Sequence, residues 1–136
     1  MSKKTVNPSI ESFLIADKVI QEKNTNKWSI IGIFDKIYTG SFPCIHSSLS
    51  LYIRLSGGWG KYKIKIEFCD DKDRVLGLFE GIEIDVKDKL AFPGFGINTT
   101  RLQIPHPGKY WFKLYFNDEF LEQFPIQVAL IEKGKK

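Results

Sequence analysis

The chain is poor in the residues that metal binding and thiol chemistry draw on: its 136 residues include two cysteines, two histidines and one methionine. Cys44 and Cys69 lack C-x-x-C spacing, so they supply neither a zinc-ribbon half-site nor a thioredoxin-like motif. Free thiols in a reducing compartment are the expectation, with one disulfide as the alternative. No apolar run approaches the roughly 20 residues that cross a bilayer as a helix. The apolar part of the leading MSKKTVNPSIESFLIADKVI is cut by Glu11, Asp17 and Lys18, so it does not read as a signal peptide. Together these absences predict a cytoplasmic protein with no membrane partner. Sustained helical periodicity, fixed-period repeats and low-complexity tracts are missing too, which excludes solenoids and disordered effectors.

A strong charge of one sign is also missing from the body of the chain. The formal net charge is +4, and Lys3, Lys4, Glu132, Lys133, Lys135 and Lys136 account for all of it. The expected layout is a basic tail over 1–9, one domain over 10–131 and a basic tail over 132–136. A neutral body gives nothing to track a phosphate backbone, so no nucleic-acid partner is expected. A chain this long buries about two-thirds of its extended surface, enough to fold without disulfide or metal.

What the chain has is period-two alternation. Tyr62, Ile64, Ile66 and Phe68 alternate with Lys61, Lys63, Lys65 and Glu67. Leu49, Leu51, Ile53 and Leu55 alternate with Ser48, Ser50, Tyr52 and Arg54, and Tyr110, Phe112, Leu114 and Phe116 with Trp111, Lys113, Tyr115 and Asn117. Ile82, Ile84 and Val86 flank Glu83 and Asp85. Side chains on a strand point alternately to its two faces, so each run buries one face. The segments 11–20 and 28–38 are apolar at both parities and read as more deeply buried strands. Turn chemistry separates the runs at Asn24–Asn26, Gly57–Gly60, Asp70–Asp73, Pro93-Gly94, Pro105–Gly108 and Asn117-Asp118. Lys87–Leu90 could form a helical turn. Gly32 and Gly81 interrupt strand patterns as bulges or close contacts do, and Pro125 calls for an edge or a bulge. The prediction is an all-β fold, an antiparallel immunoglobulin-like β-sandwich of about eight strands.

Ala16-Asp17-Lys18-Val19, Gly32-Ile33-Phe34-Asp35-Lys36-Ile37, Phe42-Pro43-Cys44-Ile45-His46 and Pro107-Gly108-Lys109-Tyr110-Trp111-Phe112 form a set. In it the chain resembles a family of short bacterial proteins grouped as a domain of unknown function, through Ala-Asp-x-Val, Gly-x-Phe-Asp-x-Ile, Phe-Pro-x-x-His and Pro-Gly-x-Tyr-x-Phe. The resemblance spans nearly the whole chain, with the middle hairpin matched in pattern alone. It implies a β-sandwich and brings no activity, substrate or cofactor.

No constellation reads as catalytic, and no cofactor or metal is expected. Cys44 and His46 offer two soft ligands but lack two more, and Pro43 marks a strand entry. Asp70, Asp71 and Asp73 could grip a hard cation but lack the glycine and distal glutamate of an EF-hand, so a hairpin turn is preferred. Gly57-Gly58-Trp59-Gly60-Lys61 lacks Walker spacing and precedes a strand. Trp59 at that loop is either folded back as a plug or presented to a ligand. Asp17 and Asp35 are expected to bond to backbone or to Lys18, Lys36 or Arg54 rather than to form an acid–base pair. Asn98-Thr99-Thr100 matches a glycosylation sequon that a cytoplasmic protein would not use.

An immunoglobulin-like order would place the strands from Ser48, Lys61 and Lys109 in one sheet with the last strand. Tyr52, Trp111 and Tyr115 would then share its outer face with Arg54, Lys61, Lys63, Lys65 and Lys113, suited to a protein partner or a second copy. The competing expectation is that lysine stems and a loop cover the rings. A carbohydrate-binding module using Trp28, Trp59 or Trp111 is the alternative function.

Overall fold

The computed structural model describes residues 7–131. Lys3, Lys4 and the 132–136 tail lie outside the described residues. Residues 8 and 9 of the expected N-terminal tail belong to the domain: Pro8 is buried and the first strand opens at Ser9.

The fold is all-β. Its strands are β1 (Ser9–Gln21), β2 (Trp28–Ile33), β3 (Lys36–Thr39), β4 (Cys44–His46), β5 (Leu49–Ser56), β6 (Gly60–Cys69), β7 (Val75–Val86), β8 (Gly94–Thr99), β9 (Leu102–Ile104), β10 (Gly108–Phe116) and β11 (Glu119–Leu130). A four-stranded sheet runs β2-β1-β5-β8, a five-stranded sheet β3-β11-β10-β6-β7, and β4-β9 form a short ribbon. Ten of these strands pair antiparallel somewhere, but β3 pairs with β11 in parallel. The described strands therefore number eleven where about eight were expected, and the pairing is not purely antiparallel.

The extra strands have local causes. The segment from Trp28 to Tyr38, expected as one buried strand, divides between the sheets. Phe34 donates its N–H to Ile15 O in the four-stranded sheet, and Asp35 O accepts from Gln127 N in the five-stranded one. Two isoleucines of β2 stay in solvent, Ile31 at 52% exposure and Ile33 at 61%. Lys87–Leu90 forms no helix; Asp88 closes a turn by accepting from Leu90 N and Ala91 N.

Alternation sets the core as expected. Leu49, Leu51, Ile53 and Leu55 of one sheet meet Tyr62, Ile64, Ile66, Phe68, Tyr110, Phe112, Leu114 and Phe116 of the other, all buried in one cluster. At its head Tyr110 Oη donates to His106 O, four residues back, the corner that starts a penultimate strand in many sandwiches. Its ring stacks on Phe68 with centroids 5.2 Å apart. Of the four register shifts among the described strands, one falls at a glycine that the sequence marked, and the other marked glycine makes a close contact. Gly81 (φ 83°) sits at a register shift between β6 and β7. Gly32 (φ 72°) faces Asp17, whose Cγ would lie 2.9 Å from an added Cβ. Pro125 lies beyond the reach of β3, which pairs only from Gln127 onward. Gln127 N–H points to that outer side, toward Asp35, so by period two the missing donor of Pro125 also faces the open edge and costs no ladder bond.

Candidate functional site

The outer face of the five-stranded sheet is laid out by strand register. Trp111 stands beside Pro125 of β11 and Cys69 of β6, and Cys69 beside Val75 of β7. In the next row Lys113 stands between Gln123 and Glu67, with Leu78 beyond Glu67. In the third, Tyr115 stands between Phe120 and Lys65. Farther along, Lys63 opposes Glu83 and Lys61 opposes Asp85, so the lysines of β6 face acids across the pair.

Each aromatic ring here has a partner. Lys109 Nζ lies 4.6 Å from the Trp111 ring centre and Lys65 Nζ 4.5 Å from that of Tyr115. Phe120 meets Tyr115 edge-on at 5.7 Å. Lys113 donates to Asp73 at 2.7 Å, and that bond holds its ammonium pKa above the ordinary value. Burial together with a hydrogen bond to Glu67 raises the Tyr115 phenol. Burial likewise raises Cys69, beneath this row, and keeps it a thiol. The lysine stems cover part of the rings, but apolar side chains at the two margins remain open: Val75 is 51% and Leu78 49% exposed on β7, and Phe120 49% on β11.

Tyr52 and Arg54 do not join this face. They lie on β5, which belongs to the four-stranded sheet, so the expected single aromatic and basic face is two faces on opposite sides of the molecule. The cause is the chain path: β1 takes the place beside β5, and the chain crosses to the other sheet between β5 and β6. The β1–β2 hairpin leans over Tyr52. Trp28 meets its ring at 5.7 Å, and an added Cβ on Gly96 would lie 2.7 Å from Val19 Cγ1 and 2.9 Å from Trp28 Cζ3. Beside it an open groove is lined by Asn26, Lys27, Trp28, Tyr52, Arg54 and Phe92, with the Arg54 guanidinium 5.0 Å above the Phe92 ring.

Trp59 is half-buried in the β5–β6 loop. Its backbone is clamped at both ends: Trp59 N donates to Tyr62 Oη at 2.7 Å, and Tyr62 Oη donates to Trp59 O at 2.9 Å. Its ring has Lys89 Nζ at 5.9 Å. Trp59 thus lies in the connection between the two larger sheets, off the β10 face.

The polar candidates do structural work. Asp70, Asp71 and His106 bring one ligand atom each within 4.8 Å of one another. Asp70 is already engaged: Oδ1 accepts from Lys72 N and Arg74 N at 2.9 Å each, and Oδ2 from Arg74 Nε at 2.6 Å. His106 Nε2 lies 3.6 Å from the same oxygen. This is the β6–β7 hairpin turn, with Asp73 at φ 61°. Cys44 and His46 lie on the β4–β9 ribbon, His46 with a buried Nε2 that has no hydrogen-bond partner and with Phe34 at 6.1 Å. Asp17 is exposed, and its carbonyl, not its carboxylate, accepts from Ser48 and Ser50. The groove that Asp35 lines includes neither Asp17 nor His46.

Sequence reasoning missed Val75, Leu78 and Phe120. Phe120 was findable, since it follows a two-residue turn with positive φ at Asn117 and Asp118, which fixes it opposite Tyr115. Val75 and Leu78 were not, because register shifts in β7 break the alternation that would have placed them. Among the described residues no helix is long and apolar enough to cross a membrane. The profile of a family of unknown function (DUF6941) matches residues 11–129, nearly the whole domain. No curated protein matches the chain.

Proposed function

The chain belongs to the family of unknown function (DUF6941), and from that premise we propose that it is a non-enzymatic binding or scaffolding module. Its docking surface is the outer face of the five-stranded sheet, and its partner is a protein or another copy of itself. The observation that carries this reading is the set of part-exposed Phe120, Tyr115, Trp111, Leu78 and Val75 on one sheet face, interleaved with Lys65, Glu67 and Lys113. Rings of this kind bury large area at low entropy cost, and tryptophan and tyrosine are enriched among the residues that dominate binding. Nucleic acid and membrane are not the partners in this reading, because the domain body carries no net charge.

We further read the architecture as immunoglobulin-like. The tyrosine corner ahead of the penultimate strand and the crossings between sheets at β5–β6 and β8–β10 support it, with the β1–β2 hairpin as an addition. A bacterial cytoplasm is the setting, in keeping with two free cysteines.

Trp111→Ala tests the face. Affinity capture from the native host, with wild type and variant compared at equal folded amounts, should retain a partner through wild type and lose it by roughly 30-fold with the variant. Equal retention, or no retained species and no self-association, refutes the reading. The groove of Trp28, Tyr52 and Phe92 favours a second reading, a carbohydrate-binding module. Oligosaccharide titration followed by tryptophan fluorescence, with Trp28→Ala as control, separates the two.

A further inference from the structure

We infer that the groove of Trp28, Tyr52, Arg54 and Phe92 binds an acidic sugar, a pyranose ring carrying a carboxylate, as one unit of an oligosaccharide. The inference rests on the second reading above, that this groove takes carbohydrate, and adds the class of sugar. Tyr52 and Arg54 belong to the four-stranded sheet and Trp111 to the other, so one chain can carry this site and the docking face together.

The polar groups of the lining set the charge of the ligand. The groove is bordered by Asn26, Lys27 and Arg54 besides its rings, and no carboxylate is among its lining residues. Lysine and arginine side chains donate hydrogen bonds and accept none. Among the described residues neither Lys27 nor Arg54 enters a salt bridge. The Arg54 guanidinium rests 5.0 Å above the Phe92 ring, a contact that fixes its place and uses none of its N–H groups. Donors without acceptors call for a ligand rich in acceptors, and a carboxylate meets a guanidinium through paired charge-assisted bonds. A neutral sugar would bring a donor with every hydroxyl and find only Asn26 and Tyr52 side chains to receive them.

The rings set the shape. The planes of Trp28 and Tyr52 are tilted by 55°, with centroids 5.7 Å apart. A flat nucleobase can lie along one of these walls but not both, whereas a puckered pyranose turns C–H groups toward each. Phe92, 54% exposed, adds a third ring. Glycine at position 94 leaves the Tyr52 ring its room, since an added Cβ there would run into the phenol oxygen. That hydroxyl bonds to no other described residue, so it is left for a sugar hydroxyl. At about 630 Å³ the groove falls within the range of small-molecule sites, roughly 300–1,000 Å³, and it is open to solvent, so the bound unit can belong to a longer chain.

Isothermal titration calorimetry with tetragalacturonate, and with the neutral tetrasaccharide made by reducing its carboxyl groups, tests the inference. Wild type should bind tetragalacturonate at least about tenfold more tightly than the neutral sugar, and added salt should narrow the gap. Arg54→Gln changes an exposed side chain and should remove most of the preference. Phe92→Ala, also at an exposed position, should weaken the binding of tetragalacturonate about fivefold or more. Circular dichroism confirms that each variant is folded. Equal binding of the two tetrasaccharides overturns the acidic class and leaves the carbohydrate reading standing, whereas binding of neither removes both. A preference that survives Arg54→Gln, tetragalacturonate binding unchanged by Phe92→Ala, or uridine monophosphate binding more tightly than tetragalacturonate also overturns the inference.

Discussion

Asp70 is wholly buried yet ionised, and the balance can be followed atom by atom. Burial works against its charge. Arg74, through backbone N–H and guanidinium, and Lys72 N–H work for it and hold the carboxyl at about 2 against an ordinary 3.8. A carboxylate with a depressed pKa in the fold contributes stability above its unfolded value and loses it as pH falls through the folded one. Between pH 4 and 2 the wild-type urea midpoint should therefore fall more steeply than that of Asp70→Asn. Parallel midpoints for the two proteins would show that the carboxylate charge does not organise the turn. Composition alone made this residue one of three acids in four positions. Its role came from the hairpin that folds Lys72 and Arg74 back around it.

At the scale of elements, the β1–β2 hairpin decided most of what sequence reasoning got wrong. A strand apolar at both parities looked central because burial on both faces is the usual cause of that pattern. Here one side of β2 faces the Tyr52 region and the other leaves Ile31 and Ile33 in solvent. The docking depends on Gly96, which lies beneath Val19 and Trp28. Gly96→Val should destabilise the domain by about 1–3 kcal/mol through overpacking, seen as a lower urea midpoint and a shifted Trp28 emission. An unchanged midpoint would mean that the hairpin does not rest there. The turn at Asn117-Asp118 was legible by contrast, since two residues tolerant of positive φ between alternating runs leave little choice.

For the molecule as a whole, one cluster of buried side chains joins the two larger sheets. Unfolding by urea should thus be a single transition, with far-ultraviolet circular dichroism and tryptophan fluorescence superimposing; separated transitions would contradict a shared core. The sequence by itself determined the all-β class, the inward face of β5, β6 and β10, the bulge at Gly81 and the open-edge place of Pro125. Each follows from local physics: side-chain alternation, left-handed backbone at glycine, and a donor missing at proline. Only the tertiary structure decided which strands share a sheet, that β3 would pair in parallel with β11, and that Tyr52 would lie on the far side from Trp111. Strand pairing joins residues distant along the chain, and alternation says which face of a strand is buried but not which neighbour lies beside it.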